Sequence, residues 1–422
     1  MGLKKIQDRF SGDKMISYQE ALEIIHANSN LSPTENLPVL LAAKKISSLE
    51  IFSKIQVPSF NNSAMDGFAI RSADIELASA DNKKKLKIIA TIAAGEVSTK
   101  SGEGALQIMT GAPVPDGYDA VIPIEEVELD GENVILKRHA KRNENIRFAG
   151  EDVAFGQKVL DRGKKITAED IMLLSAVGVS QISVYKTPSL KIFSTGNEIT
   201  DNYDAELPEG KIYNSNSPYL VSKALEEGFN VDYGGVIADD KIRFEAAIDK
   251  VAPGTIIIST GAVSKGKWDF IPESLKSLGA KIHFHRVNIR PGKPVLFATL
   301  PNGNYFFGLP GNPISAAIGF RFFVTPLLRK IQGLGDEKIV FATLKSGFVK
   351  KGYFKQLLKS ILEIDAQGRL QVTISDGQES FKISPMAQSN AWTILEENKT
   401  EFLSGDLLRV VPISLEPVYD LF

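Results

Sequence analysis

Residues 255–315 read TIIISTGAVSKGKWDFIPESLKSLGAKIHFHRVNIRPGKPVLFATLPNGNYFFGLPGNPIS. The opening TIIIST is apolar and β-branched, the composition of a strand buried on both faces of a parallel sheet. The glycine-spaced GAVSKGKWD predicts a loop, and PESLKSLG predicts a helix with Gly279 past its end. KIHFHRVNI predicts the next strand, running into RPGKP. PVLFATL and NYFFGLP predict two more strands, joined by the hairpin turn PNGN. GLPGNPIS closes the unit, with Asn312 and Pro313 placed to start the helix ISAAIGFRFFVTPLL.

Three loops in this stretch leave strand ends, and all are rich in Gly or Pro. In an open α/β sheet, ligands bind outside the carboxyl ends of the strands. Glycines let backbone N–H groups approach an anion, and a helix N-terminus adds its dipole. Lys265, Lys267, Arg290 and Lys293 supply full charges, and Asp269 supplies a carboxylate for a cation. One such loop would be an ordinary turn, where Gly and Pro are expected anyway. Three in succession favour a site for an anionic, phosphorylated substrate held with a divalent cation. Gly261, Gly266 and Lys267 also match the first seven positions of a nucleotide-binding P-loop. Trp268 stands where the magnesium-binding hydroxyl belongs, so a P-loop ATPase is the weaker reading and any magnesium in this loop falls to Asp269.

The remaining composition narrows the class. A chain of 422 residues has room for roughly three domains. Lys and Arg total 49 against 51 Asp and Glu, so no basic excess drives nucleic-acid binding. The absence of cysteine removes disulfides, thiolate zinc sites and cysteine nucleophiles, and it fits a cytoplasmic protein. The start, MGLKKIQDRF, lacks the apolar core of a signal peptide. No apolar run is long enough to span a bilayer, since Arg321 interrupts the longest predicted helix.

From the N-terminus, ISYQEALEIIHAN predicts a helix with a Ser17/Glu20 capping box, and NLPVLLAAKKISS a second helix. Both are expected in an arm. VPSFNNSAMDGFAIR carries Asp66 among small residues, which by local chemistry reads as an Asx-type turn. A β-rich segment follows, with Thr110 at a strand end. NIRFAGEDVAFGQKVLDRG is turn-rich; its Arg147, Glu151 and Asp152 read as surface charges or a second edge of a site. TAEDIMLLSAVG predicts a capped helix. From Pro188 the chain alternates strand and helix, the pattern of a doubly wound α/β sheet. Glu198, Asp239, Asp240 and Asp269 all fall where its strands give way to loops, and converging carboxylates call for a cation such as magnesium. His283 and His285 share one face of a strand, and two ligands alone favour packing over metal. After about residue 330 short strands return, with a hairpin at Gln367–Gly368, as in a separate all-β domain.

PSFNNSAMDGFAIR, IMTGAPVPDGYDAVIPIEEV, NIRFAGEDV, STGNEI, VSKGKWD, PGKP and GLPGNPIS together resemble the molybdopterin molybdenumtransferases, the MoeA and gephyrin E-domain family. The resemblance covers most of residues 57–330 and is weaker toward both ends. It implies a multidomain α/β fold: an elongated arm from 1–56 and 142–172, an inserted β-rich domain at 57–141, a molybdopterin-binding α/β domain at 173–330, and a β-barrel-like domain at 331–422. It also implies that molybdate is inserted into adenylylated molybdopterin with Mg²⁺-dependent release of AMP, giving molybdenum cofactor. Tungstate has nearly the same size and charge and is equally compatible with the sequence.

Carried over by position, Asp66, Thr110, Asp269 and Lys293 would be catalytic. Ser264, Arg290, Gly292, Lys293, Pro310, Asn312, Pro313 and Arg147 would bind substrate, and Glu198, Asp239, Asp240, Asp269 and Asp152 would bind metal. A homodimer with shared sites and contact with the adenylyltransferase of the same pathway are implied as well. Four positions depart from the family pattern: Ala262 where a second glycine is usual, Lys265 for an aliphatic residue, Lys267 for an acidic one, and Arg290 for lysine. They keep a second expectation open, a catalytically impaired pterin-binding or scaffold paralogue.

Overall fold

The computed structural model describes residues 15–96, 102–262 and 270–413. The chain divides into two compact units, one of Met1–Glu35, Lys44–Ile46 and Tyr185–Phe422, the other of Asn36–Ala43 and Ser47–Val184.

At the heart of the first unit is a six-stranded sheet. Its strands are β1 (Ser189–Thr195), β2 (Asn230–Ile237), β3 (Ile256–Thr260), β4 (Lys281–Phe284), β5 (Leu296–Thr299) and β6 (Tyr305–Leu309), in the order β2-β1-β3-β6-β5-β4. The first four in that order run parallel, while β5 and β4 pair antiparallel. Alternation along β3 explains the double winding. Ile256 and Ile258 join a core with Leu220 and Ala224 of helix α1 (Asn216–Glu226). Ile257 joins the opposite core with Phe244 and Ile248 of α2 (Lys241–Asp249) and Leu275 of α3 (Ile271–Ser277). The expected α3, with Gly279 in the left-handed region at φ 73°, and the expected β5–β6 hairpin are both present.

Two expectations for this unit are corrected. The predicted strand 281–289 stops at Phe284; Ile289–Arg290 instead pairs in parallel with Lys355–Gln356. The long helix after Asn312 is α4 (Pro313–Gly319), a π turn Phe320–Val324 and a further α segment Thr325–Ile331. Pro326 has no N–H and its ring crowds the carbonyl a turn back, so the helix widens just before it. Arg321, buried there, donates to the Pro412 carbonyl at 3.1 Å and pairs with Glu337 at 2.5 Å.

The same unit holds a closed five-stranded barrel. Lys355–Ile364, Leu370–Ile374, Val340–Leu344, Leu407–Pro412 and Ala391–Leu395 pair in that order, and the last returns to the first. The hairpin at Gln367–Gly368 is present, held by Asp365, whose Oδ1 accepts from the N–H groups of Gln367 and Arg369. The capping box of Ser17 and Glu20 starts helix Tyr18–Ala27 as expected. That helix was expected in the arm, but its Tyr18, Ala21 and Ile25 are buried in the α/β core. The apolar stripe at helical spacing is the reason: it needs a partner surface, and the sheet layer supplies one.

In the second unit a six-stranded sheet runs Ala120–Pro123, Gly67–Ile70, Ala105–Ile108, Lys84–Ile92, Asn133–Leu136 and Val127–Asp130. A separate core of Val39, Val153, Leu160, Leu174 and Val184 supports helix Ala168–Ala176, which begins with the Thr167/Asp170 box. The expected second helix over 36–48 does not form: strand Thr34–Pro38 and a single 3₁₀ turn Val39–Leu41 stand there. Pro38 withholds an N–H, and Lys44 sits at φ 64°, outside helical space.

Candidate active site

The sheet registers decide where the loops lie. β1, β2, β3 and β6 end together, at Thr195, Ile237, Thr260 and Leu309. Two antiparallel steps restore the direction at β4, so Phe284 ends on the same edge, and its register partner Phe297 lies at the start of β5. The loops after Thr195, Ile237 and Thr260, the RPGKP loop and the GLPGNP turn therefore all open at the carboxyl edge, where open α/β sheets take ligands.

Backbone at this edge is closely packed. Gly261, at φ 94°, donates its N–H to the Leu309 carbonyl at 3.0 Å. A Cβ on Gly261 would stand 2.3 Å from the Thr195 carbonyl oxygen, so this turn admits only glycine. Ala262 follows at φ 48°, a left-handed conformation that its methyl group disfavours. Ser264, Lys265, Lys267 and Asp269, with the rest of the P-loop-like run, lie outside the described residues.

In the RPGKP loop Gly292 is buried at φ 98°, while Arg290 and Lys293 are exposed. Among the described residues no carboxylate pairs with either cation. The Lys293 carbonyl accepts from Val287 and Val295, which tightens the loop. At the GLPGNP turn Pro310 is buried, Gly311 and Asn312 are exposed, and Pro313 is the first residue of α4. Asn312 makes no side-chain cap, and the Ile314 N–H of the first turn donates instead to the Ser380 carbonyl at 3.1 Å.

Beneath the edge lies a hydroxyl and amide network that the sequence reading missed. Ser194 Oγ is 2.7 Å from Ser217 Oγ and 3.2 Å from Thr260 Oγ1, and it donates to Asn214 Oδ1 at 3.1 Å. Asn216 Nδ2 donates to the Gly311 carbonyl at 2.7 Å, tying α1 to the GLPGNP turn. Asn216 Oδ1 and Ser259 Oγ are buried without a hydrogen-bond partner among the described residues. The NSNSP run at 214–218 was the available signal, because buried polar side chains in succession need a network to satisfy them.

The acidic residues are distributed. Asp239 Oδ2 accepts from the Asn197 N–H at 3.3 Å, and Asn197 Oδ1 accepts from the Asp239 N–H at 3.2 Å, so the ends of β1 and β2 are cross-tied. Glu198 folds back beside Gly196, where an added Cβ would meet its carboxylate at 2.6 Å. Asp240 caps α2 through the Arg243 N–H at 2.8 Å. Among the described residues no three His, Cys, Asp or Glu side chains gather to hold a metal ion, and Asp269, which the expected set of carboxylates includes, lies outside them. One oxygen of Asp239 and one of Asp240 accept from neighbouring backbone N–H groups. His283 is buried, bonded to Thr299 Oγ1 at 3.0 Å and stacked on Phe297.

In the second unit, Asp66 does not close a local Asx turn. Its Oδ1 accepts from the N–H of Thr110 at 2.7 Å and from the Thr110 hydroxyl at 2.9 Å. The backbone bond, then the hydroxyl bond, hold this carboxyl below its usual range. Arg147 lies on the short strand Ile146–Arg147, paired with Asn62–Ser63. Asp152 is exposed, its N–H donating to the Val57 carbonyl, and Glu151 accepts from the Phe148 N–H at 2.9 Å.

Comparison with known proteins gives matches along nearly the whole chain. Residues 16–178 match the MoeA N-terminal region (domain I and II). Residues 191–330 match the probable molybdopterin binding domain, and residues 342–413 match the MoeA C-terminal region (domain IV). A molybdopterin molybdenumtransferase of Staphylococcus epidermidis is 33% identical over 407 residues, 94% of this chain and 95% of that protein. One from Staphylococcus aureus is 33% identical over 405 residues. A crystal structure of the molybdopterin biosynthesis MoeA protein of Pyrococcus horikoshii aligns over 95% of this chain and 100% of its own, at 29% identity and a TM-score of 0.82.

Proposed function

Because the chain belongs to the molybdopterin molybdenumtransferase (MoeA) family, we propose that it inserts molybdate into adenylylated molybdopterin, with Mg²⁺-dependent release of AMP, in the cytoplasm. One observation carries the anionic part of this reading. Exposed Arg290 and Lys293, without carboxylate partners among the described residues, stand on a glycine-containing loop at the carboxyl edge of the sheet. There they would hold the phosphate and dithiolene side of the substrate, with Gly292, Pro310, Asn312 and Pro313 shaping the wall.

Magnesium, when bound, supplies charge neutralisation on the departing phosphate. Glu198 and Asp239 are the described carboxylates at this edge suited to hold it, and Asp269 would join them from its loop. Asp240 would stand beside them, since it, like Asp239, has one oxygen engaged by a backbone N–H and one remaining. We assign Asp66 and Thr110 to the molybdate side, and Arg147 and Asp152 to its surroundings.

The four-part division of the chain and a homodimer with shared sites belong to the same proposal. Exposed apolar Leu40, Leu41, Phe52, Phe155 and Met172, all in the second unit, support a subunit interface there. The adenylyltransferase that supplies the substrate is the proposed protein partner.

The test is AMP release from adenylylated molybdopterin by the purified protein given molybdate and Mg²⁺, with metal analysis of the product against a tungstate control. Turnover supports the enzyme. Tight pterin binding without AMP release selects the scaffold alternative, for which Ala262 at φ 48° in the central loop is the specific motive.

A further inference from the structure

The RPGKP loop is not free-standing. Its first residues, Ile289–Arg290, form a parallel ladder with Lys355–Gln356 of the barrel. Just before that ladder partner lies Phe354, and the Arg290 guanidinium carbon sits 4.5 Å from the centre of its ring. The ring is itself fixed. Lys350, 2% exposed, donates from Nζ to the Phe354 carbonyl at 2.9 Å and to the Glu396 carbonyl, and its Nζ lies 5.8 Å from the same ring. Gly352 adopts φ 91°, and a Cβ there would stand 2.9 Å from Phe354 Cε1. The barrel thus holds one aromatic plane against the side chain of Arg290.

We propose that Phe354 is a positioning residue for Arg290: by stacking on the guanidinium it fixes the plane in which Arg290 presents paired N–H donors to an oxyanion of the substrate. This rests on the reading of Arg290 as an anion-binding residue. The chemistry is specific to arginine. A guanidinium is flat, stacks on an aromatic face and binds oxyanions with two parallel bonds, whereas an ammonium is a point charge. An exposed arginine loses considerable side-chain freedom on binding, so a residue that restricts it beforehand lowers the entropic cost of each contact. Arg290 and Phe354 therefore act as one device, assembled from two parts of the chain more than sixty positions apart in sequence.

The experiment is equilibrium binding and turnover of adenylylated molybdopterin with full-length Phe354→Leu, Phe354→Tyr, Arg290→Lys, Arg290→Ala and the Phe354→Leu/Arg290→Ala double variant, each checked by thermal melting. Phe354→Leu is expected to weaken binding roughly three- to tenfold, the worth of one cation–π contact, with kcat little changed. Phe354→Tyr keeps the ring face and should bind like wild type. Arg290→Lys keeps the charge, loses the plane and should resemble Phe354→Leu. In the Arg290→Ala background, Phe354→Leu should add no further loss. The proposal is overturned if Phe354→Leu binds as tightly as wild type, or if its loss is equally large without Arg290. It is also overturned if Arg290→Ala itself binds normally, a result that removes the anion-site reading along with it. Should Phe354→Leu melt before assay, Arg290→Lys and Phe354→Tyr still decide: equal affinity of Arg290→Lys and wild type counts against the stack.

Discussion

Thr110 donates both its backbone N–H and its hydroxyl to a single oxygen of Asp66, across 44 positions of sequence. The pair stabilises the charged form of Asp66, so its proton leaves at lower pH than usual. Thr110→Val removes the hydroxyl bond and keeps the backbone bond. The Asp66 midpoint, followed by carboxyl NMR, should then rise part of the way to the ordinary value. Because the folded value is depressed, any stability this contact contributes is present above the unfolded value and lost as pH falls through the folded one. An unmoved midpoint in Thr110→Val would show that the hydroxyl contributes nothing.

Gly261 gives a test of the close packing at the sheet edge. Gly261→Ala places a methyl group 2.3 Å from the Thr195 carbonyl and forces alanine to φ 94°. The strands must separate locally, at a cost of about 2–4 kcal/mol. Urea unfolding should show a lower midpoint with an unchanged slope. Wild-type stability would mean that the edge yields freely.

Ala262 makes the opposite prediction. Its left-handed φ of 48° costs a non-glycine residue roughly 1–2 kcal/mol, partly offset because glycine has more chain entropy to lose. Ala262→Gly should therefore raise stability by up to about 1 kcal/mol, seen as a higher melting midpoint. A lower midpoint would contradict the strain.

His283 should make the α/β unit acid-sensitive. Burial, with a smaller push from Lys281, lowers its pKa from 6.5 to about 4. Between those two values the unfolded chain binds the proton and the folded one does not, so stability falls as pH falls, by at most about 1.4 kcal/mol per pH unit. His283→Gln can still bond Thr299 Oγ1 but cannot be charged. Its stability should decline less steeply from pH 6.5 to pH 4.5 in denaturant titrations, and an identical decline would assign the acid sensitivity to other groups.

Local patterns made the framework of the sheet readable. β3 is a bare β-branched run, the β5–β6 turn carries PNGN, and the helices at Tyr18 and Ala168 announce themselves through capping boxes. Each of these signals lies within a few residues of the structure it specifies. The misreadings share a different origin. KIHFHRVNI looks like one strand, yet Ile289–Arg290 pairs with the barrel rather than with the sheet, and no local periodicity reports a choice between two partners. Asp66 resembles a turn former until Thr110 is found beside it. Phe354 carries no motif at all; only the fold brings it to Arg290.

The short ladder between Ile289–Arg290 and Lys355–Gln356 has a bearing on how this chain could be divided. The change of pattern after residue 330 invites a cut there, as if the barrel were an exchangeable module. Cutting at that point would strip the loop bearing Arg290 of its backbone partner and of the ring that holds its side chain. The boundary visible in the sequence thus cuts through contacts that restrain residue 290. Grafting the barrel of a relative would import that relative's restraint on residue 290, whether or not the residue there is still arginine.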